Sequence, residues 1–535
     1  MDLQLSSLVA LVVVTFAFSL FIRSRFWKPR AVRKSPPLAG GAWPIIGHLR
    51  LFKSPAEPLH MALGKLADKY GPIFTIKYGV ETAVVVSSSE MAKECLKTHD
   101  KVFSSRVQSV VSEILGYNYA FFAFSSYGRY FHEIKKKVMH ELFSNHRIEM
   151  LKHIRESEVS TSIREIYEQW TKNKKSGGSN EVVVEMKEWF GDISENVIFR
   201  MILGQRCTEA KNYAKNPLPG ELMGRKIFND VLHMLGIVVL SDAVPFLRWL
   251  DLGGHQKAMR KKLKEVDQLL QVWLDEHKQK RKISGGVKGD DERDFMDTMI
   301  SFLDDDLKVT KEYDADTINK ATSLTILLAG VDVITGTLSW ALSLLLNNPE
   351  TLKRAQEELD QIIGRERQVK ESDIDNLVYL QAVLKETMRL YPPGPVPLAH
   401  VSTEDCILGG YHIPAKTRVF INIGKIQLDP KTWPDPNEFR PERFLTTHKN
   451  IDVRGQDFEL IPFSSGRRMC AGVSLAMKMM PLALASLLHG FEIATPSDEP
   501  VDMSENMELT NHKSSLLEVV VTPRLPAQLY EEYHK

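Results

Sequence analysis

The segment "PFSSGRRMCAG", residues 462 to 472, places Cys470 in a loop between Gly466 and Gly472, with Arg467 and Arg468 just ahead of it. Ionised sulfur is the form that ligates metal, and adjacent positive charge with free backbone N–H groups lowers the cost of holding it. The run "AGVSLAMKMMPLALASLL" follows, so the sulfur stands just before a helix N-terminus, whose dipole also favours negative charge. This pattern suits a single-thiolate metal ligand. A second candidate is Asp332, in "LLAGVDVITG", residues 327 to 336. A carboxylate among Leu, Ile and Val is expensive unless it is paired, hydrogen-bonded or wetted. Nearby, Gly330 carries the helix-interior glycine cost of about 1 kcal/mol. In "KETMRLYPPGP", Glu386 and Arg389 stand three residues apart on one helix face ended by Pro392 and Pro393. Alone, such a pair is most often a solvated surface pair.

Those residues need a scaffold. The 535 residues, 43% hydrophobic and 26% charged, describe an ordinary globular chain with a large core. Lys plus Arg at 69 against Asp plus Glu at 68 leaves no basic excess of the kind that binds nucleic acid. Cys95, Cys207, Cys406 and Cys470 are widely spaced, which argues against a disulfide framework or zinc ribbon and fits a reducing compartment. Apolar periodicity predicts a helix from about Asp316 to Leu346, stopped by Asn347, Asn348 and Pro349. Strands are expected in "IFTIKYG" and "TAVVVSS" near residues 73 to 88, in "TRVFINI" at 417 to 423 and in "LLEVVVTP" at 516 to 523. The rest reads as mostly helical, with polar loops at "KNKKSGGSNE" and "SGGVKGDDERD" too short to divide domains. Residues 3 to 22 carry no charge and are long enough to span a bilayer, and Arg23, Arg25, Lys28, Arg30, Arg33 and Lys34 follow. That asymmetry predicts an uncleaved anchor with the body in the cytosol. Pro36, Pro37, Gly40, Gly41 and Pro44 then enforce a stiff, extended connection.

The chain resembles the cytochrome P450 family. Phe463, Gly466, Arg468, Cys470 and Gly472 match its haem loop, F-x-x-G-x-R-x-C-x-G, and Arg443 in "FRPERF" stands where the family closes a Glu-Arg-Arg cluster with Glu386 and Arg389. The resemblance implies a mainly α fold with small β-sheets, with haem between a long central helix and the Cys-loop helix, plus an N-terminal transmembrane helix. The implied organisation is an anchor at 1–30, a proline-rich hinge at 31–48 and one haem-thiolate domain at 49–535. It implies haem b ligated by Cys470, Ala329 and Gly330 as the small step where dioxygen fits, and Asp332 routing protons and water toward the haem. Two departures stand out. Val333 and Ile334 occupy the positions where the family usually has Thr, often followed by Thr or Ser, and Thr337, one turn along the same face, could act only through water. Phe131 and Lys135 replace the family's Trp and Arg that hold a haem propionate; Lys135 keeps the charge without the bidentate fork. Arg468 and His400 are the other expected propionate contacts, His400 being equally readable as an ordinary loop residue.

No GxGxxG fingerprint, flavin module or cysteine cluster is present, so electrons are expected from NADPH through a separate NADPH-cytochrome reductase. Lys135, Lys136, Lys137, Arg467 and Lys478 could attract that acidic partner, or could simply be a solvated face. A functional monomer in the endoplasmic reticulum membrane, single-pass with a cytosolic catalytic domain, is implied. The resemblance puts residues 109 to 124, 228 to 239, 396 to 398 and 509 to 511 around a pocket for a lipophilic small molecule. Its wording is similar to plant microsomal enzymes of specialised metabolism, which suggests a terpenoid, alkaloid or phenolic. Three functions follow: a monooxygenase, a haem-thiolate enzyme that rearranges or couples without net oxygen insertion, and a non-catalytic haem protein. The missing hydroxyls at Val333 and Ile334 keep the second open, while Asp332 and Cys470 argue against the third.

Overall fold

Thirty-two residues, Ala315–Leu346, form one helix, one residue longer at its start than the apolar period predicts. At 1.5 Å per residue it runs about 48 Å. Asp314 caps it by accepting from the Thr317 backbone N–H at 2.9 Å, Asn347 ends it, and Pro349 opens the next helix, Pro349–Ile362. The helix is apolar on every side, the mark of a core helix rather than a surface one. From Ile318 to Leu345 every residue is buried except 329 to 333, and there Ala329 alone is exposed.

The computed structural model describes residues 34–53, 57–175, 181–207, 222–283, 293–305, 311–497, 499–507 and 509–531. The expected membrane anchor lies outside them, as do residues 176–180 and 284–292 of the two polar loops. The central helix packs against the helices Met186–Leu203, Val378–Leu390 and Val473–Gly490, all of which contribute to one continuous apolar core. Ala315–Leu346 and Val473–Gly490 are long and apolar enough to cross a membrane, yet their apolar windows are 72% and 78% buried, so both are core helices.

Strands β1 (Ile73–Tyr78), β2 (Glu81–Val86), β3 (Ser105–Arg106), β4 (Val182–Glu185), β5 (His400–Val401), β6 (Cys406–Leu408), β7 (Tyr411–Ile413), β8 (Arg418–Ile421), β9 (Phe491–Ala494), β10 (Glu505–Met507), β11 (Asn511–Lys513) and β12 (Glu518–Pro523) make four small sheets. The largest has the order β1-β2-β8-β5-β3, with β1 and β2 antiparallel (Ile73 opposite Val86) and β2 parallel to β8 (Val84 opposite Val419). β12 lies between β4 and β9, and β10 pairs with β11 so that Asn506 faces His512. Residues 34 to 48 lie along β1: the Ala39 N–H donates to Thr75 O and the Thr75 N–H to Pro37 O, both at 2.8 Å. The proline-rich segment is therefore extended around residues 37 to 39, turns at residues 44 to 46 where Trp43 pairs with Gly47, and is tied to the body of the fold.

Candidate active site

The Cys470 loop is built by backbone geometry. Gly466 adopts φ +68°, and a Cβ there would stand 2.3 Å from Leu96 O and 2.7 Å from Asp100 Oδ1, so only glycine fits. The Cys470 N–H donates to Phe463 O at 3.0 Å, and the buried Phe463 ring anchors the loop in the core. Gly472 leads directly into Val473–Gly490, its N–H directed at the Cys470 sulfur. Cys470 has accessible surface, but that surface faces the protein interior: desolvation pushes its thiol up, against the pull of the Gly472 N–H and the Lys135 charge.

Cations gather beside this sulfur. Lys135, on the helix Arg129–Glu141, donates to Arg467 O at 2.6 Å and to Met469 O at 3.0 Å. Arg468 donates to Ser104 O at 2.5 Å and Ser125 O at 2.6 Å, with its guanidinium 3.7 Å over the Phe131 ring. Phe131 thus trades the indole donor of the family pattern for a cation–π face under Arg468. Arg106 on β3 donates to Leu398 O at 2.6 Å and leaves its buried Nε without an acceptor. Burial pushes Lys135 down to about 8, Arg468 to about 9 and Arg106 to about 10; the charge of Arg106 adds to the shift of the other two. His400, buried on β5, has Nδ1 2.6 Å from Phe103 O, and burial with the charges of Arg106 and Arg468 holds its pKa well below the ordinary value. Mutually repelling cations with an orphaned donor are the signature of an anion site. Together with an accessible sulfur and the exposed Ala329, they fit an apolar, metal-bearing cofactor with carboxylate arms.

Lys135 corrects the expectation that it belongs to a partner-docking face. Phe131, Ile134, Lys135 and Val138 share one helical stripe, so Lys135 turns inward with them. Lys137 pairs with Glu141 at 2.8 Å, Lys478 with Asp375 at 2.9 Å and Arg467 with Asp100 at 3.2 Å, and Lys136 and Arg467 are the exposed members of that set.

Glu386, Arg389 and Arg443 come together with side chains 0, 0 and 2% exposed. Arg389 grips Glu386 with two bonds of 2.7 and 2.8 Å, Arg443 Nε donates to Glu386 Oε1 at 3.1 Å, and both arginines tie backbone carbonyls between 434 and 438. The pair in "KETMRL" is therefore a buried strut for the segment leading to the cysteine loop.

Asp332 has the partners its burial demands. Its Oδ1 lies 2.8 Å from His512 Nε2 and its Oδ2 accepts from the Thr510 hydroxyl, both on or beside β11. Burial alone would raise this carboxyl, but the His512 bond and charge, with the Thr510 hydroxyl, hold it below the ordinary value. Gly330 faces the helix Met186–Leu203, where a Cβ would come 2.9 Å from Ile198 Cδ1. Thr337 is buried and commits its hydroxyl proton to Val333 O at 2.8 Å. Arg106 and His512 carried no signal in the sequence reading, and Thr510 was expected only as a pocket residue, because each meets its partners only through the tertiary fold.

Four stretches that the sequence assigns to a pocket meet around a cavity of about 200 Å³: Val111, Phe124, Leu235, Val396, Leu398 and Leu509 are among its walls. Arg106 also lines it, so this space reaches the cation cluster.

The family model of Cytochrome P450 matches residues 36–519. The chain is 47% identical over 537 residues to a flavonoid-6-hydroxylase of Ocimum basilicum, covering 98% of each chain. It is 47% identical to a strychnine-10-hydroxylase of Strychnos nux-vomica, covering 96% of each, and 44% identical to a xanthotoxin 5-hydroxylase of Arabidopsis thaliana, covering 99% of this chain and 100% of the other. Among solved structures, a zebra fish cytochrome P450 with progesterone superposes with a TM-score of 0.70 at 25% identity, covering 88% of this chain and all of that one.

Proposed function

This chain belongs to the cytochrome P450 family, and from that premise we propose that it is a membrane-anchored monooxygenase hydroxylating a lipophilic, ring-rich plant metabolite with electrons from NADPH through a separate reductase. The observation that carries the reading is the Cys470 sulfur, accessible only from inside, beside Lys135 and the cluster of Arg106 and Arg468. When bound, haem supplies dioxygen activation, with electron density from the thiolate favouring O–O cleavage. The protein's own groups do the rest. Cys470 gives the thiolate, Arg106, Arg468 and Lys135 hold the cofactor's carboxylates, and the neutral His400 packs beside them. Ala329 keeps a small, exposed side chain on the central helix, Gly330 lets that helix lie close against Met186–Leu203 rather than serving the dioxygen step expected of it, and Asp332 holds and releases protons at its carboxyl. The relatives' names cover a flavonoid, strychnine and xanthotoxin, which supports ring hydroxylation of an alkaloid or phenolic as the reaction class. The apolar walls of the 200 Å³ cavity support a lipophilic ligand. The uncharged run at residues 3 to 22 with its basic flank supports single-pass anchoring in the endoplasmic reticulum with the catalytic body in the cytosol.

A second reading, rearrangement or oxidative coupling without oxygen insertion, is favoured by one feature: Val333 and Ile334 carry no hydroxyl, and that of Thr337 is committed to Val333 O. Microsomes holding this protein and a reductase, fed flavone, strychnine and xanthotoxin under labelled dioxygen, separate the two by mass spectrometry. Label in the product is the expected result; a product without label establishes the second reading in its place. Val333→Thr should raise product formed per NADPH; an unchanged ratio would show that position 333 takes no part in proton supply.

A further inference from the structure

Between the central helix and Met186–Leu203 runs a second cavity, of about 290 Å³, that the haem-side description does not use. It is lined by the exposed Lys187 and Glu188, the buried Glu195 and Thr335, and Asp332 and His512. His512 is buried, 9% exposed, and lies flat on the central helix at Gly336, one turn after Asp332. A Cβ at 336 would stand 3.0 Å from both Cε1 and Nδ1 of the ring, so the glycine makes room for this imidazole. The strand beneath it is fixed independently: the Asn511 N–H donates to Pro393 O at 2.8 Å, and Trp340 Nε1 donates to Asn511 O at 3.1 Å.

We propose that His512 is the positioning residue that supplies protons to Asp332, recharged from solvent through this side cavity and standing in for the hydroxyl that Val333 and Ile334 lack. The proposal rests on the monooxygenase reading above. The doubly protonated ring gives its Nε2 proton to Asp332 Oδ1 across 2.8 Å. The neutral ring then takes a proton from water in the cavity, so one proton passes from solvent to the carboxyl and no electron moves. Thr510 holds the other carboxylate oxygen, leaving Oδ1 as the receiving atom. The acidity of Asp332, held below its ordinary value chiefly by His512 against the effect of burial, makes carboxylate its resting form, so each proton it passes on must be delivered to it. The charged groups around the pair are Glu185, Lys187, Glu188 and Glu195 from β4 and its following helix, and Glu505 and Lys513 on the hairpin of His512.

Two measurements on the full chain decide it. With 13Cε1-labelled histidine, the resonance missing from His512→Gln is that of His512; the pH dependence of that resonance should change in Asp332→Asn. An identical pH dependence in both proteins overturns the proposal. In vesicles with reductase, flavone, strychnine and xanthotoxin serve as test compounds, and product and hydrogen peroxide are measured per NADPH from pH 6 to 8. His512→Gln keeps a hydrogen-bond donor beside Asp332 but cannot ionise. It should lower product per NADPH about tenfold, raise peroxide correspondingly, flatten the pH profile and leave KM unchanged. Superimposable profiles overturn the proposal. If the wild type converts none of the compounds, the monooxygenase reading fails for this panel, and the histidine titration still decides the His512–Asp332 pair by itself.

Discussion

Glu505 on β10 shows how one buried side chain sets a pH dependence. Burial pushes its carboxyl up to about 7, against the opposing bond from Asn511 Nδ2 at 2.7 Å. His60 Nε2 is 3.8 Å away, but burial pushes that imidazole down to about 4, so at neutral pH it lends no charge. The folded state therefore keeps the Glu505 proton between about 4.5, its ordinary value, and about 7, while the unfolded chain has already released it. Where the folded state binds more protons, stability falls as pH rises. The loss accumulates across that window and persists above it. Glu505→Gln should leave the unfolding midpoint unchanged at pH 4 and raise stability by roughly 2–3 kcal/mol at pH 8. Parallel Tm-versus-pH curves for the two proteins would refute this assignment of charge.

At the scale of elements, two glycines of the site make opposite predictions. Gly466 combines φ +68° with a Cβ position 2.3 Å from a backbone carbonyl, which cannot yield. Gly466→Ala should cost roughly 3 kcal/mol or more and abolish the red-shifted Soret band of the reduced carbon-monoxide complex. Gly330 is different: its neighbour is the free end of Ile198, 2.9 Å away, and a helical alanine recovers about 1 kcal/mol, so Gly330→Ala should shift stability by no more than about 1 kcal/mol. Thermal unfolding and the carbon-monoxide spectrum check both. The contrast also marks how far the chain could be read in advance. The central helix, the strands β1 and β2 and the cysteine loop are local patterns of period and punctuation, and they were legible, whereas the Glu386–Arg389 pair, which by itself reads as a solvated pair, was legible as a cluster only through the family resemblance. The two- and three-residue strands β3, β5, β6, β7, β10 and β11 have no period to detect; tertiary pairing alone makes them strands. His512 and Thr510 lie 180 and 178 residues from Asp332, beyond any local signal. Lys135 was readable, since its spacing from Phe131 and Val138 places it on the buried stripe.

For the whole molecule, a group of exposed apolar side chains bears on the proposed membrane anchoring. Phe246 and Trp249 are 64% and 80% exposed on the short helix Pro245–Leu250, Val80 is exposed in the β1–β2 turn, and Trp43 and Ile45 are 56% and 63% exposed in the proline-rich segment. Backbone bonds join the three: Val80 N–H to Ala243 O at 3.0 Å and Gly79 N–H to Ile46 O at 3.3 Å. Segments distant in sequence thus carry bulky exposed apolar groups and are joined to one another by backbone bonds. Water-exposed aromatics in such a cluster mark a surface that meets something apolar, and tryptophan favours the bilayer interface. On the proposed membrane-anchored reading, this group would give the body a second contact with the bilayer beside the anchor. In vesicles containing brominated lipid, the full chain should show quenching of the fluorescence component lost in Trp249→Phe, and Phe246→Ser with Leu250→Ser should reduce that quenching at least twofold, since each apolar side chain withdrawn from water contributes about 1.5–3 kcal/mol. Equal quenching in the doubly substituted chain, or none in the wild type, would mean that the body hangs from its anchor alone.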